Sequence, residues 1–496
     1  MTSGAAPPDP AIDHASLRHK AVSGAVALVA RALTLQFLVF AGNLVLARIL
    51  DPRDFGVFSI SQFALMFFVY FGDAGLAARL VQQHEKPSVR LLSSALWLQL
   101  TISAAVIVTV WIVSPLSHRI WTDLPDGSEW LLRALSLELL LTAARTVPSL
   151  LMERELQFGR LSALEVSNQL VFYFAAVPLA LLGYHVWALV AGVLVRAFSG
   201  VLLAYVLRPF RPVRAFDWAA LRPIVRFGIT YQMKNLVAFV LNALVPVYAG
   251  HVLGVRAVGL LGWSRNLANT PLKLVDAMSR VGFPLYSRLQ TNPKALGNAL
   301  GRSVQVCAAG TFVFVAIVLG LGPQIIHIAY PKWTDALVLL YIFSAALGIG
   351  FLSPLVAAAF DAIGRPKVFL KMAILWTGVG CVAVPLATAR WGIVGFALGF
   401  VSQTVGGNAM VIWLTGRTFP TARVLRRCWS SALAATVEGL AARFVFAPLV
   451  TGWFTLVLAV LVSAVTFVAL LALVDRGTLL EVVELVRRGG AKAPAA

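Results

Sequence analysis

The chain has 496 residues, of which 59% are hydrophobic and only 12% charged, with a mean hydropathy of +0.84. A soluble domain is roughly half apolar and cannot hide that much hydrocarbon, so a water-soluble fold is excluded and lipid is the solvent for most of the surface. Lys and Arg total 41 against 21 Asp and Glu, a net charge of +20; in a membrane chain this excess gathers in cytoplasmic loops, so it does not imply a nucleic-acid partner.

Taken in chain order, residues 1–21 are polar and Pro-rich with no apolar core, which predicts a cytoplasmic tail and a retained first anchor rather than a cleaved signal peptide. Apolar runs then follow at 22–48, 55–81, 91–114, 129–151, 163–182, 185–207, 227–250, 257–286, 298–322, 334–360, 367–388, 391–416, 428–448 and 452–475. Crossing a ~30 Å hydrocarbon core takes about 20 helical residues, so these predict about fourteen transmembrane helices. With the N-terminus inside, the even loops hold Lys86 and Arg90, Arg154 and Arg160, then Arg208, Arg211, Arg214 and Arg222. They continue with Arg288, Lys294 and Arg302, Arg365 and Lys367, and Arg417 to Arg427, while the odd loops carry scattered charges such as Arg53 and Arg256. The alternation places both termini in the cytoplasm, and Lys86, Arg160, Arg365 and the linker arginines read as topology determinants.

The longest loop, with Pro209, Pro212 and Pro223, divides the chain into halves that repeat. A shift of 203 residues brings Leu50 onto Leu253, Arg53 onto Arg256, Gly56 onto Gly259, Asp73 onto Asp276, Ala74 onto Ala277 and Arg31 onto Lys234. Six helices per repeat is an even number, so both copies enter from the same side and are related by an axis along the membrane normal. The predicted layout is a first lobe at 22–207, a basic linker at 208–226, a second lobe at 227–416, an added helix pair within 417–475, and a cytoplasmic tail at 476–496.

Several segments carry a resemblance to a known family. LARILDPRDFGVFSI (Leu46–Ile60), FGDAGLAARLVQ (Phe71–Gln82), ERELQFGRL (Glu153–Leu161), SRVGFPLYSRLQ (Ser279–Gln290) and DAIGRPKVFLK (Asp361–Lys371) resemble the polysaccharide-transporter branch of the multidrug, oligosaccharidyl-lipid and polysaccharide (MOP) exporters, similar to Wzx-type flippases. The resemblance implies two six-helix lobes around a central cavity, alternating access, and an undecaprenyl-pyrophosphate-linked oligosaccharide or related lipid as cargo. It also implies residence in the bacterial inner membrane and handover to polysaccharide polymerase or assembly proteins. The motifs identify the family well and the sugar hardly at all.

Charges inside the bilayer single out the candidate site. Arg, Lys or Asp at a helix centre costs about 2.5–3.5 kcal/mol on translocon scales, so each needs a partner, a cavity or a function. Arg31 lies deep in the first span and Lys234 in the seventh. In the eighth, with Arg265 at zero and about 100° per residue, Asn269 falls near 40°, Lys273 near 80°, Asp276 near 20° and Arg280 near 60°, one stripe on a continuous helix. Arg31, Lys234, Arg265 and Lys273 are the candidate cationic cavity for an anionic head group such as a diphosphate, which Arg grips with two parallel hydrogen bonds. Asp73, Asp276 and Arg280 read as a structural or gating network in which Asp276 neutralises Lys273 and Arg280. Glu138 and Arg145, seven apart on one face, read as a structural pair.

Seven scattered histidines offer no paired metal-ligand spacing, the three cysteines form no CxxC motif, and no Gly-Lys pair provides a nucleotide-phosphate loop. No metal, cofactor or nucleotide is expected, and transport is left to an ion gradient, a potential or downstream pull, the ion being undetermined. The alternatives are a peptidoglycan-precursor flippase, a multidrug antiporter of the same superfamily, which would want uncompensated carboxylates in its cavity, and a polymerase or ligase, which would need a larger extracytoplasmic loop than 114–129.

Overall fold

A computed structural model describes residues 34–36, 38–72, 87–155, 157–226, 243–416, 427–475 and 477. Among the described residues there is no β-strand. They fall into two compact units, drawn from Met1–Leu50, Ser61–Ser117 and Pro125–Ala238 and from Asp51–Ile60, His118–Leu124 and Phe239–Ala496. After a helical stretch within Thr34–Ile49, the long helices of the first half are α1 (Pro52–Gly72), α2 (Val89–Val113), α3 (Ser128–Arg154), α4 (Phe158–Leu181) and α5 (Val186–Leu207). In the second half they are α6 (Val255–Ala268), α7 (Leu272–Arg288), α8 (Pro293–Ala329), α9 (Ala336–Gly350), α10 (Leu352–Ala362), α11 (Pro366–Gly416), α12 (Trp429–Ala441) and α13 (Trp453–Val474). Nine described helical segments are long and apolar enough to span a bilayer, and the protein is a multi-pass membrane protein.

Local chemistry explains the helix ends. The Ser88 side chain accepts a hydrogen bond from Leu91 N at 3.2 Å at the start of α2, and Asn292 accepts from Ala295 N at 3.1 Å before α8, whose first residue is Pro293. These side chains satisfy amide groups that have no partner inside the helix. Helix α11 is two spans joined at Trp391 and Gly392, where the backbone is non-helical and Gly392 has φ +56°. That break falls where the sequence separates spans 367–388 and 391–416.

The expected span 257–286 is not one helix. It divides at Asn269–Pro271, where Leu272 N bonds to Asn269 O at 3.0 Å and Leu274 N to Pro271 O at 3.0 Å. Proline has no N–H and its ring crowds the carbonyl four residues back, so α6 ends and α7 begins on a new axis. The second unit is packed around a core of Tyr286, Leu300, Cys307, Phe351, Leu355 and Phe360, contributed by α7, α8, α10 and the turn before α10.

The basic linker is held against the first unit. Ser93 Oγ accepts from Val213 N at 3.0 Å, Ser94 Oγ accepts from Asp217 N at 2.9 Å, and Trp97 Nε1 donates to Val213 O at 3.0 Å. Phe210, Leu221 and Ile224 are buried against Leu92, Leu96, Val147 and Leu150. Arg208 pairs with Glu155 at 2.5 Å, and Arg160 donates to the Leu207 carbonyl at 3.1 Å, satisfying an open acceptor at the end of α5. Each linker hydrogen bond contributes about 0.5–1.5 kcal/mol. The double variant Ser93→Ala/Ser94→Ala is therefore expected to raise trypsin cleavage at Arg211 and Arg214 in membranes roughly 5–30-fold, and an unchanged cleavage rate would show that the hydrophobic contacts alone hold the strap.

Candidate functional site

Arg265, in the last turn of α6, is a partly buried cation of the second unit. Its guanidinium lies 4.4 Å from the centroid of the Phe400 ring. Phe400 in turn stacks on Phe396 at 6.1 Å and meets Phe343 edge-on at 6.4 Å, and Phe396 stacks on Tyr248 at 6.5 Å. No carboxylate pairs with Arg265 among the described residues. A cation over an aromatic face recovers about 0.5–2 kcal/mol, less than the roughly 2.5–3.5 kcal/mol that the charge costs at a helix centre. The aromatic wall alone leaves the guanidinium short of compensation, and an anion or water must supply the rest.

Lys273, Asp276 and Arg280 belong to α7 beyond the Pro271 break, so Arg265 shares no continuous helical stripe with them. All three are exposed, and no ion pair joins Asp276 to Lys273 or Arg280. The neutralised triplet expected from sequence is therefore not formed in this structure, because i±3 and i±4 spacing only permits a pair and solvated side chains gain little by closing one. Arg31, Asp73 and Lys234 lie outside the described residues.

Glu138 and Arg145 form no direct ion pair, although the Glu138 carboxylate lies near enough to act on the Arg145 charge. Glu138 on α3 pairs with Arg196 on α5 at 2.8 Å, and the Arg196 guanidinium also lies 5.6 Å from the Phe172 ring of α4. Arg145, one helical repeat further along α3, reaches over Gly200 beside Asn168, where a Cβ on Gly200 would stand 3.1 Å from Arg145 Nη1 and 2.9 Å from Asn168 Oδ1. The cluster spans three helices of the first unit. Arg196 and Asn168 were not singled out in the sequence; a mid-span Arg in an otherwise apolar helix was the available signal for Arg196.

At one end of the second unit the internal repeat becomes physical contact. A methyl group on Gly56 would overlap the Val255 carbonyl oxygen, and one on Gly259 would overlap that of Pro52. Both 52/255 and 56/259 are separated by 203 residues, so the two helix starts meet in a reciprocal contact about a local two-fold axis. Only glycine permits backbones this close. The tripeptide Trp-Thr-Asp occurs at 121–123 and again at 333–335 and flanks the contact from both sides. Trp121 donates to the Pro246 carbonyl at 2.7 Å, and its ring edge lies over Gly250 beside Val258. Trp333 meets Phe55, the counterpart of Val258, edge-on at 5.2 Å. Asp123 pairs with Arg53 at 3.1 Å and Asp335 with Arg256 at 2.8 Å. Asp123 also accepts from Val255 N at 3.1 Å, whereas Pro52, standing where Val255 does, has no N–H to offer Asp335. These ion pairs are about half exposed and each contributes at most about 1 kcal/mol, so they set register while the glycine crossing sets proximity.

Comparison with solved structures gives the class. The lipid II flippase MurJ in an inward closed conformation aligns with a TM-score of 0.70 at 12% identity, covering 92% of this chain and 99% of that one. An inward-facing multidrug resistance MATE family transporter of the MOP superfamily aligns at 0.58 and 16% identity, over 81% of this chain and 99% of that one. The protein has the all-helical fold of these transporters. Residues 45–338 match the family described as polysaccharide biosynthesis protein, and the chain belongs to that family. It is similar to the lipopolysaccharide biosynthesis protein WzxC of Escherichia coli (strain K12), 24% identical over 394 residues, 78% of this chain and 79% of that protein. It is also similar to the succinoglycan biosynthesis transport protein ExoT of Rhizobium meliloti (strain 1021), 25% identical over 312 residues and 62% of each chain.

Two measurements probe these contacts. Glu138→Gln strands a half-buried Arg196 and is expected to lower thermal stability in detergent by about 1–2 kcal/mol, with the double variant Glu138→Gln/Arg196→Gln less destabilised than the sum of the single changes; strict additivity would mean the pair is not coupled. Gly56→Ala and Gly259→Ala each push a methyl group into the facing backbone carbonyl oxygen and are each expected to lower thermal stability in detergent by about 1–3 kcal/mol; wild-type stability of both variants would contradict the reciprocal contact.

Proposed function

We propose that this protein is a flippase, not an enzyme, that carries a polyprenyl-(pyro)phosphate-linked oligosaccharide across the bacterial inner membrane for surface polysaccharide assembly. Arg265 is the observation that carries the reading: a cation set on an aromatic wall, in a membrane chain of the polysaccharide biosynthesis family, with no carboxylate among the described residues to neutralise it. An anionic head group supplies the missing compensation, and the guanidinium fork matches phosphate oxygens two at a time. The wall formed by Phe400, Phe396, Phe343 and Tyr248 suits sugar or isoprenoid surfaces. Arg31, Lys234 and Lys273 are proposed to complete the cationic path, and Asp73, Asp276 and Arg280 to form a charge network along it.

Both termini are cytoplasmic in this reading, with Arg-rich even loops inside. The lobes are 22–207 and 227–416, and helices within 417–475 stand outside them. Alternating access then requires the Gly56–Gly259 crossing to part when the pathway opens at that end. An ion gradient, a potential or downstream polymerisation supplies the drive, and the cargo passes to the polymerase and assembly proteins.

Cells without the protein are expected to accumulate lipid-linked oligosaccharide on the cytoplasmic leaflet and to lose the cognate surface glycan, with drug resistance unchanged. Hypersensitivity to cationic dyes with normal glycans would indicate a drug antiporter, and accumulation of peptidoglycan precursor would indicate that substrate instead. Arg265→Gln is expected to abolish transport at normal membrane abundance, since removing the charge eases insertion by up to about 2.5–3.5 kcal/mol. Arg265→Lys retains transport if a point charge suffices and loses it if bidentate contact is needed; wild-type export by Arg265→Gln would remove Arg265 from the site.

A further inference from the structure

Helix α12 carries one titratable residue, Glu438, in its last turn. Its side chain is 0% exposed, and neither carboxyl oxygen has a hydrogen-bond partner among the described residues. The surroundings explain the seal. Helix α12 packs against both α8 and α13, with Ala434 and Ala435 fitted against Ala309, Ala316, Phe467 and Leu471. A Cβ on Gly439 would be 3.7 Å from the Ala316 carbonyl oxygen, and one on Gly320 would be 3.0 Å from the Gly439 carbonyl oxygen. Small residues on both sides of Glu438 bring the three helices close around it.

One polar group faces the carboxyl: the Ser463 hydroxyl of α13, itself 0% exposed and without a completed hydrogen bond. Ser431, two turns earlier on the same face of α12, is likewise fully buried. Among the described residues, no charged group faces Glu438 from the helices packed on it. Helix α13 has no titratable residue, and those of α8 are Lys294, Arg302, Cys307 and His327. None of these four acts on the Glu438 carboxyl; Cys307 belongs to the core around Tyr286 and Phe351. Arg443, five residues on, is exposed and on another side of the turn.

An ionised carboxylate here would have no counter-charge among the described residues and only the Ser463 hydroxyl as a donor, at a cost of several kcal/mol. A carboxylic acid instead offers one O–H donor and a carbonyl acceptor, and a serine hydroxyl can serve either. We propose that Glu438 is a proton-binding site, holding a neutral carboxyl that pairs with Ser463 and fastens α12 to α13. The proton leaves only when water reaches the seam, so its release is tied to separation of α12 from α8 and α13. The assignment concerns a helix pair outside the two proposed six-helix repeats and does not depend on the identity of the transported lipid.

Infrared spectra of the full-length protein in liposomes test this directly. The expected result is a protonated-carboxyl C=O band at neutral pH that is lost in Glu438→Gln and shifts in Ser463→Ala, which keeps the glutamate. In thermal melts from about pH 5 to about pH 9, Glu438→Gln should match wild type at the acid end and exceed it at the alkaline end. There, the wild-type carboxyl must give up its proton inside the seam or hold it against the solution. Absence of the band, its persistence in Glu438→Gln, a band position unmoved by Ser463→Ala, or a Glu438→Gln protein destabilised equally across the range would each overturn the proposal.

Discussion

The structure is organised by the cost of putting charge where there is no water. Each ion at bilayer depth must be offset locally, because hydrocarbon offers neither dielectric screening nor hydrogen bonds. Glu138 meets the requirement with Arg196, an ion pair made across two helices and backed by Phe172. Arg265 meets it only in part, by resting on Phe400. Among the described residues, Glu438 has neither a salt bridge nor an aromatic face. The three differ in what each is free to do: a paired charge holds helices in place, while an unpaired cation is available to an anion.

Selectivity between candidate cargoes follows from the sign of what is left uncompensated. Organic cations need a spare carboxylate in an accessible place, and in the described part of the first unit Glu138 is already spent on Arg196. Arg265 carries the opposite sign and lies against rings that tolerate both sugar faces and isoprenoid chains. Arginine keeps its charge at any physiological pH, so under the proposed function its attraction for a phosphate group would not depend on the proton concentration on either side of the membrane.

The reciprocal contact of Gly56 and Gly259 shows why an internal repeat is useful mechanically. Two copies of one helix start, meeting backbone to backbone, form a closure held by many weak contacts rather than by one strong bond. The Trp-Thr-Asp turns add the half-exposed Arg53–Asp123 and Arg256–Asp335 pairs, which cost little to break in water. A closure of this kind can be tight and still reversible. The strap at 208–226 is different in character, since it buries Phe210, Leu221 and Ile224 as well as bonding its backbone to Ser93 and Ser94, and it stays with the first unit.

Hydropathy alone determined that this is a helical membrane protein and where most of its described spans fall, because lipid imposes length and polarity on each span separately. The 203-residue repeat was legible for the same reason: equivalent positions face equivalent surroundings. The partners were not legible. Periodicity assigns a residue to a face of its own helix but does not say what stands opposite. It set Glu138 beside Arg145, whereas the folded chain gives it Arg196, 58 residues away on another helix. It also ran Arg265, Lys273, Asp276 and Arg280 together as one stripe, although Pro271 turns the axis between the first and the rest. Glu438 shows the same division: the sequence places a lone carboxyl in an apolar span, and only the packing of α8, α12 and α13 leaves it, among the described residues, with a single serine for company, because burial is a property of neighbours that the fold brings together, α8 from more than 100 residues away and Ser463 from 25.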